Sequence, residues 1–305
     1  MVDIRNRHIY AIVICITLLF GALGLYQPAF LQTIQYPLLA ILVLCIGVPH
    51  GATDFLLFKH LRGMHLSTFQ VIRFFSLYLI VVFTYLLGWV WLPAPALVFF
   101  LLVSTYHFGQ SNLEYMQFPR YLGYVSFLLW GSFALGGALL WHWDESSVII
   151  NQIVGFKVSW ADGFLHQIQW FLLIINVLWL GFLALAGYIN RLNLLREWMK
   201  LGVLSFMLFY TPLFVGFTLY FTLWHSLGSL LDQLDFFRRK LPSFTLAHYY
   251  RQAAPFTLLA VFGLMGLVWA QSFMFADVSL ISLFFILIAC MSLPHIFLVE
   301  ESLKR

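Results

Sequence analysis

Four histidines of this chain fall where an ionisable side chain is costly: His50, His107, His225 and His295. Each lies inside a mainly apolar run long enough to cross a bilayer, near 36–58, 93–115, 213–236 and 278–300. Ionisable residues within a membrane generally face a bundle interior and mark a site. A single such histidine is accounted for by an interhelical hydrogen bond to a carbonyl or hydroxyl. Four at one depth ask for more. Neutral imidazole is the commonest metal ligand and suits iron, zinc, copper and nickel alike. A helix bundle can bring side chains from separate helices onto one ion. The residue types therefore point to a metal site built from His50, His107, His225 and His295.

The neighbours of these histidines are polar or helix-loosening. His50 sits in Val48-Pro49-His50-Gly51-Ala52-Thr53-Asp54. Pro49 and Gly51 loosen a helix in mid-membrane, which is tolerated where backbone lines a cavity. Asp54 shares the face of His50. It can accept the N–H of a neighbouring ligand or bind the metal itself. Gln110 and Glu114 follow His107 on its face, Ser229 and Asp232 follow His225, and His295 lies between Pro294 and Glu300. Asp54, Gln110, Ser229 and Asp232 are candidates to support the ligands or to join them, whereas Glu300 fits an ordinary residue of the inner interface. Tyr106, Phe108 and Trp224, directly beside the histidines, are candidate substrate contacts.

The elements that must carry these residues are membrane-spanning helices. The 305 residues are 62% hydrophobic and 9% charged, with a mean hydropathy of +0.92. A soluble domain carries about 25% charged residues, so the surplus apolar surface must face lipid. A span needs about 20 mainly apolar residues. Such runs lie near 8–26, 36–58, 67–91, 93–115, 119–141, 164–189, 195–212, 213–236, 253–274 and 278–300, which predicts an all-α bundle of about ten helices in one integral-membrane domain. Pro93 and Pro95 part the third run from the fourth. Thr211-Pro212 parts the seventh from the eighth, or else kinks one long helix. With both termini in the cytoplasm, every one of the 16 basic residues except Lys157 falls on the inner side, Arg5, Lys304 and Arg305 included. This is the distribution that the positive-inside rule requires, and a missed or added helix would invert every later loop.

With that topology the four histidine helices all run inward. The histidines lie about 12 to 17 residues from the outer ends, which at about 1.5 Å per residue is about 18 to 26 Å deep. They share one layer of a core about 30 Å thick. The other six histidines fall at surfaces: His8, His60, His65 and His248 at cytoplasmic ends or loops, His142 and His166 outside. The longest outer stretch, about 142–163, looks interfacial, with Trp143 and Trp160 in it and Trp141 at its edge. Cys15, Cys45 and Cys290 form no C-x-x-C pair, so no zinc ribbon or disulfide framework is indicated. The net charge of +4 is explained by topology and does not indicate nucleic-acid binding. The 33 Phe and the 19% aromatic content suit an apolar cavity for a rigid ligand as well as they suit lipid-facing side chains and interfacial belts.

Pro49-His50-Gly51 with Asp54, Tyr106-His107-Phe108-Gly109, Trp224-His225-Ser226 and Leu293-Pro294-His295 resemble, in order and membrane context, the Brp/Blh family of bacterial and archaeal membrane proteins. The resemblance runs from the second helix to the tenth. It implies a β-carotene 15,15′-dioxygenase: a multi-pass protein of the cell (inner) membrane that splits the central double bond of β-carotene with O2. It further implies Fe(II) as cofactor and retinal as the product, which a rhodopsin would accept. Carried over, the family's Pro-His-Gly, Tyr-His-Phe-Gly and Trp-His-Ser histidines become His50, His107 and His225. The family pattern continues Trp-His-Ser-x-x-His, and here Ser229 stands at the second histidine. His295 is deep enough to complete a four-histidine set. A three-histidine iron with open positions, or a changed substrate, are the alternatives.

Other classes fit less well. A bis-histidine haem carrier moving electrons across the membrane would place histidine pairs at two depths. An ion-coupled transporter would show inverted repeats with broken helices in both halves. Membrane desaturases use clustered H-x-x-x-H boxes, and no two histidines here are four apart. A closed four-histidine zinc site remains open on residue types alone.

Overall fold

The computed structural model describes residues 7–63, 65–160, 163–274 and 278–303; Arg5, Lys304 and Arg305 lie outside them. The described chain is all helical. Its α-helices are α1 (Arg7–Tyr26), α2 (Pro28–Leu42), α3 (Val48–Gly51), α4 (Asp54–Arg62), α5 (Thr68–Trp91), α6 (Pro93–Leu113), α7 (Arg120–Leu140), α8 (Trp143–Val154), α9 (Phe164–Leu185), α10 (Arg191–Tyr210), α11 (Leu213–Leu219), α12 (Leu227–Lys240), α13 (Leu246–Met274) and α14 (Leu280–Leu303). A π turn, Val43–Gly47, joins α2 to α3, and a second, Tyr220–Ser226, joins α11 to α12. Among the described residues, eight helical stretches are long and apolar enough to cross a membrane. Side chains such as Phe83, Phe171, Leu178 and Leu185 are exposed, as lipid-facing positions require. The chain is a multi-pass membrane protein.

Each of the ten predicted runs contains helix. The two absent from the eight are α6 and α10, and composition is the reason. The lower half of α6 carries Ser104, His107, Gln110 and Asn112, and α10 carries Arg191, Arg196, Glu197 and Lys200. Local chemistry sets the ends. Leu92 leaves the helical conformation (φ −136°, ψ 59°) and Pro93 opens α6, where a missing N–H costs nothing. Thr211 (ψ 150°) and Pro212 (ψ 151°) separate α10 from α11 outright, so no kinked long helix exists there. Ser67 and Gln70 close a capping box on α5. Gly187, at φ +80°, ends α9 in the left-handed conformation that glycine adopts without strain.

The structure departs from the predicted runs in three places. The second span begins at Pro28, not near 36, because Pro28 serves as the first helical residue and Pro37 is accommodated inside α2. The helix bearing Pro255 begins at Leu246, two turns before the apolar run. The outer stretch 142–163 contains the helix α8, whose first turn holds Asp144 and Glu145, a favourable placement at a helix N-terminus.

The fold divides into two compact units that interleave along the chain. The first comprises residues 1–46, 104–147 and 159–231. In it α10 packs on α1, α7, α9 and α11, while α11 also packs on α2 and α7. Helix α6 approaches α7 at backbone distance: a Cβ on Gly109 would stand 1.7 Å from the Phe127 carbonyl oxygen, and one on Gly131 would stand 1.7 Å from that of Thr105. Only glycine fits at either place. The second unit comprises residues 47–103, 148–158 and 232–305. There α14 packs on α3, α4, α5 and α13.

Candidate functional site

In the second unit the break between α3 and α4 creates the site's geometry. Pro49 cannot donate to the helix ladder, and α3 ends at Gly51. Ala52 and Thr53 form a turn, after which Asp54 begins α4. A carboxylate in the first turn of a helix is stabilised by the partial positive charge there, which helps Asp54 to be buried (4% exposed). Its Oδ1 accepts from Nδ1 of His295 at 2.6 Å. Its Oδ2 accepts from the Tyr78 hydroxyl at 3.1 Å. His50 donates from Nδ1 to the Gly47 carbonyl, the last of the π turn. The two imidazoles meet edge to face, with centroids 5.2 Å apart at 84°. Because carbonyl and carboxylate can only accept, Nδ1 carries the proton in both rings. In the neutral rings Nε2 is then the nitrogen with ligating character, the arrangement by which outer partners fix the tautomer of metal-binding histidines.

The carbonyls around this break are held by side chains. Gln233 donates from Nε2 to the His50 carbonyl at 3.1 Å. Its Oε1 accepts from Thr53 at 2.5 Å and from Tyr249 at 2.9 Å. Backbone acceptors that lose a helical donor must find another within an apolar interior, and this trio meets the need.

In the first unit His107, on α6, and His225, inside the second π turn, also meet edge to face, with centroids 4.9 Å apart at 76°. Single π turns within α-helices occur frequently at functional sites. Here the Ser226 hydroxyl donates to the Phe221 carbonyl five residues back at 2.7 Å. The pair is enclosed by aromatic rings: Phe108 lies 4.8 Å from His225 and 5.5 Å from Tyr220, and Phe221 stacks on His225 at 5.9 Å. The Gly109–Gly131 approach fixes α6 against α7 two residues from His107.

The predicted site residues thus fall into two pairs, His50 with His295 and His107 with His225, each buried to about the same degree. Among the described residues, no three His, Cys, Asp or Glu side chains form a group that could hold a metal ion. Each pair has the donor chemistry for two ligands, and neither unit by itself supplies a full set. Of the flanking candidates, Asp54 supports His295, and Phe108 lies against His225. Gln110 is buried and donates to the Tyr106 hydroxyl at 3.4 Å. The Tyr106 ring meets Tyr124 and Phe127. Trp224 turns toward α1, donating to Thr17 at 2.9 Å with Tyr10 at its edge. Ser229 is half-buried and Asp232 is exposed.

Of the six surface histidines, His8, His65 and His248 are exposed. His142 and His166 bond the carbonyls of Leu208 and Trp141. His60 departs from expectation: it is 4% exposed, bonded to the Leu56 carbonyl at 2.8 Å and packed on Phe237. Lys200, assigned to the inner side by sequence, lies buried against Glu197 at 2.6 Å, in a cluster that Asn112 and Tyr115 complete.

The family model of beta-carotene 15,15'-dioxygenase matches residues 41–301. The chain belongs to that family. The match spans all four histidines and agrees with the resemblance carried by their motifs. No curated protein and no solved structure matches the chain. Membership of the beta-carotene 15,15'-dioxygenase family makes a carotenoid-cleaving dioxygenase the coarse reading of the site.

Proposed function

We propose that this protein is an Fe(II)-dependent dioxygenase that cleaves the central 15,15′ double bond of β-carotene, or of a related carotenoid. One C40 polyene and one O2 give two C20 aldehydes; the alkene bond and the O–O bond break, two C=O bonds form, and no further reductant is needed. The observation that carries the reading is the family match over 41–301. The two histidine pairs support it, since imidazole is a donor that iron accepts.

Iron, when bound, would orient and activate O2 beside the alkene. The candidate ligands are His50, His107, His225 and His295, with a position left for O2. Asp54 keeps the proton on Nδ1 of His295, and Tyr78 donates to the other carboxylate oxygen, so the carboxylate stays oriented. Gln233, Thr53 and Tyr249 hold the backbone that carries His50. Phe108 and Phe221 exclude water from the His225 side and offer flat apolar faces. A hydrocarbon polyene is recognised by dispersion contacts of that kind rather than by hydrogen bonds. The substrate would enter from the lipid of a bacterial or archaeal inner membrane, and retinal would leave to a retinal-binding partner such as a rhodopsin.

Expression in a β-carotene-producing bacterium tests the reading. Loss of colour with accumulation of retinal is expected. Unchanged carotenoid beside an intact, iron-loaded protein would defeat the substrate assignment. Iron-free protein that still cleaves the polyene would defeat the cofactor.

A further inference from the structure

Within the second unit, a groove of about 430 Å³ opens between α4, α5 and α14. Its size is that of a small-molecule site, about 300–1,000 Å³. The walls are apolar, with Phe74, Leu77 and Phe297 prominent among them, and the mouth carries Arg62 and Arg73. Arg62 is already engaged, in an ion pair with Glu301 at 2.8 Å. Arg73 is exposed, and among the described residues it makes no ion pair or hydrogen bond. The mouth therefore carries one uncompensated positive charge. It also lies at the N-terminal end of α5, whose backbone dipole adds positive potential.

Along α5 the lining runs from the charged Arg73 to the apolar Leu77 and Val81. Arg73 to Val81 spans two turns of α5, about 12 Å at 1.5 Å per residue, against about 15 Å for the hydrocarbon of one leaflet. A positive mouth with an apolar trough of that length matches an amphiphile with an anionic head and a hydrocarbon tail. Basic residues mark the cytoplasmic face, where anionic lipids are recognised by basic pockets between helices.

We propose that this groove binds one anionic phospholipid of the cytoplasmic leaflet, with its phosphate at Arg73 and an acyl chain along Leu77 and Phe297. The inference is independent of the metal reading. It has a bearing on the site nonetheless, because Tyr78 lines the groove and donates to Asp54, which holds His295. The bound chain would cover the hydroxyl that orients Asp54.

The test uses full-length protein, delipidated in neutral detergent and titrated with dioleoyl phosphatidylglycerol, dioleoyl phosphatidylcholine or inorganic phosphate. Retention by native mass spectrometry and Tm are the readouts. Phosphatidylglycerol is expected to be retained and to raise Tm, and the other two are not. Arg73→Gln, a surface change, is expected to weaken phosphatidylglycerol retention about fivefold, the equivalent of about 1 kcal/mol per basic residue near a headgroup. Leu77→Trp, at a position 53% exposed, fills the trough and is expected to abolish retention while leaving the lipid-free Tm near that of the parent. Equal retention of phosphatidylcholine would overturn the proposal, as would full retention by both variants. A Tm rise with phosphate equal to that with phosphatidylglycerol would reduce the site to an anion contact and also overturn it.

Discussion

Asp54 is the residue on which the second-unit histidines depend. Its carboxylate spans His295 and Tyr78, and its helix begins where that of His50 ends. Asp54→Asn is expected to lower iron affinity about 10–100-fold, the usual cost of losing an outer partner of a metal-binding histidine. Metal analysis of the purified variant beside His295→Ala checks it; parental iron content in both would remove His295 from the ligands. The Glu197–Lys200 pair makes a second residue-scale prediction. Lys200→Met would leave a carboxylate buried without its countercharge and is expected to cost about 3–5 kcal/mol, whereas Lys200→Met with Glu197→Leu is expected to recover most of that. Thermal unfolding measures both, and a double variant no more stable than the single one would contradict it. The four histidines were legible in the sequence because a histidine amid apolar residues is conspicuous. Asp54 was legible from its helical spacing. Tyr78, Gln233 and Tyr249 were not, since one hydroxyl among 14 tyrosines or one amide on a polar helix carries no signal of what it faces. His60 misled for the converse reason: a basic side chain near a predicted helix end reads as surface until its partner is known.

At the scale of elements, the close approach of α6 and α7 is the feature most exposed to mutation. Gly109→Ala would drive a methyl into the Phe127 carbonyl. Overpacking ordinarily costs about 1–3 kcal/mol, and here the obstacle is backbone, which cannot swing aside. Tm is expected to fall, with loss of the His107–His225 geometry and hence of activity. Gly202, an exposed position on α10 where an added methyl would meet nothing within 4 Å, is the control; Gly202→Ala is expected to gain roughly 0.5–1 kcal/mol from helix propensity. Equal effects would show that the packing contact carries no weight. Helix existence was readable from apolar run length, and the breaks at Pro93 and Pro212 from proline chemistry. The π turns were not readable, because they contain the same apolar residues as the α-helix around them. The start of α2 was misplaced because Pro37 looks like a boundary and Pro28 is one.

At the scale of the whole molecule, orientation is the prediction. With the termini cytoplasmic, a fluorescent protein fused after Arg305 is expected to fluoresce. Alkaline phosphatase inserted near Lys157 is expected to be active. Reversal of both would overturn the orientation, and reporters found on one side would overturn the helix count on which the common depth of the four histidines rests. Composition and charge placement made the multi-pass, all-helical class legible. They gave no hint of the division into two units, since both are built from the same kind of helix. That division has an evolutionary consequence. The chain passes between the units after residues 46, 103, 147, 158 and 231. Neither unit is therefore a contiguous stretch that recombination could gain, lose or exchange as a module. One histidine pair lies in each, so the two pairs are inherited together, and new specificity in such a chain must come by point substitution rather than by shuffling.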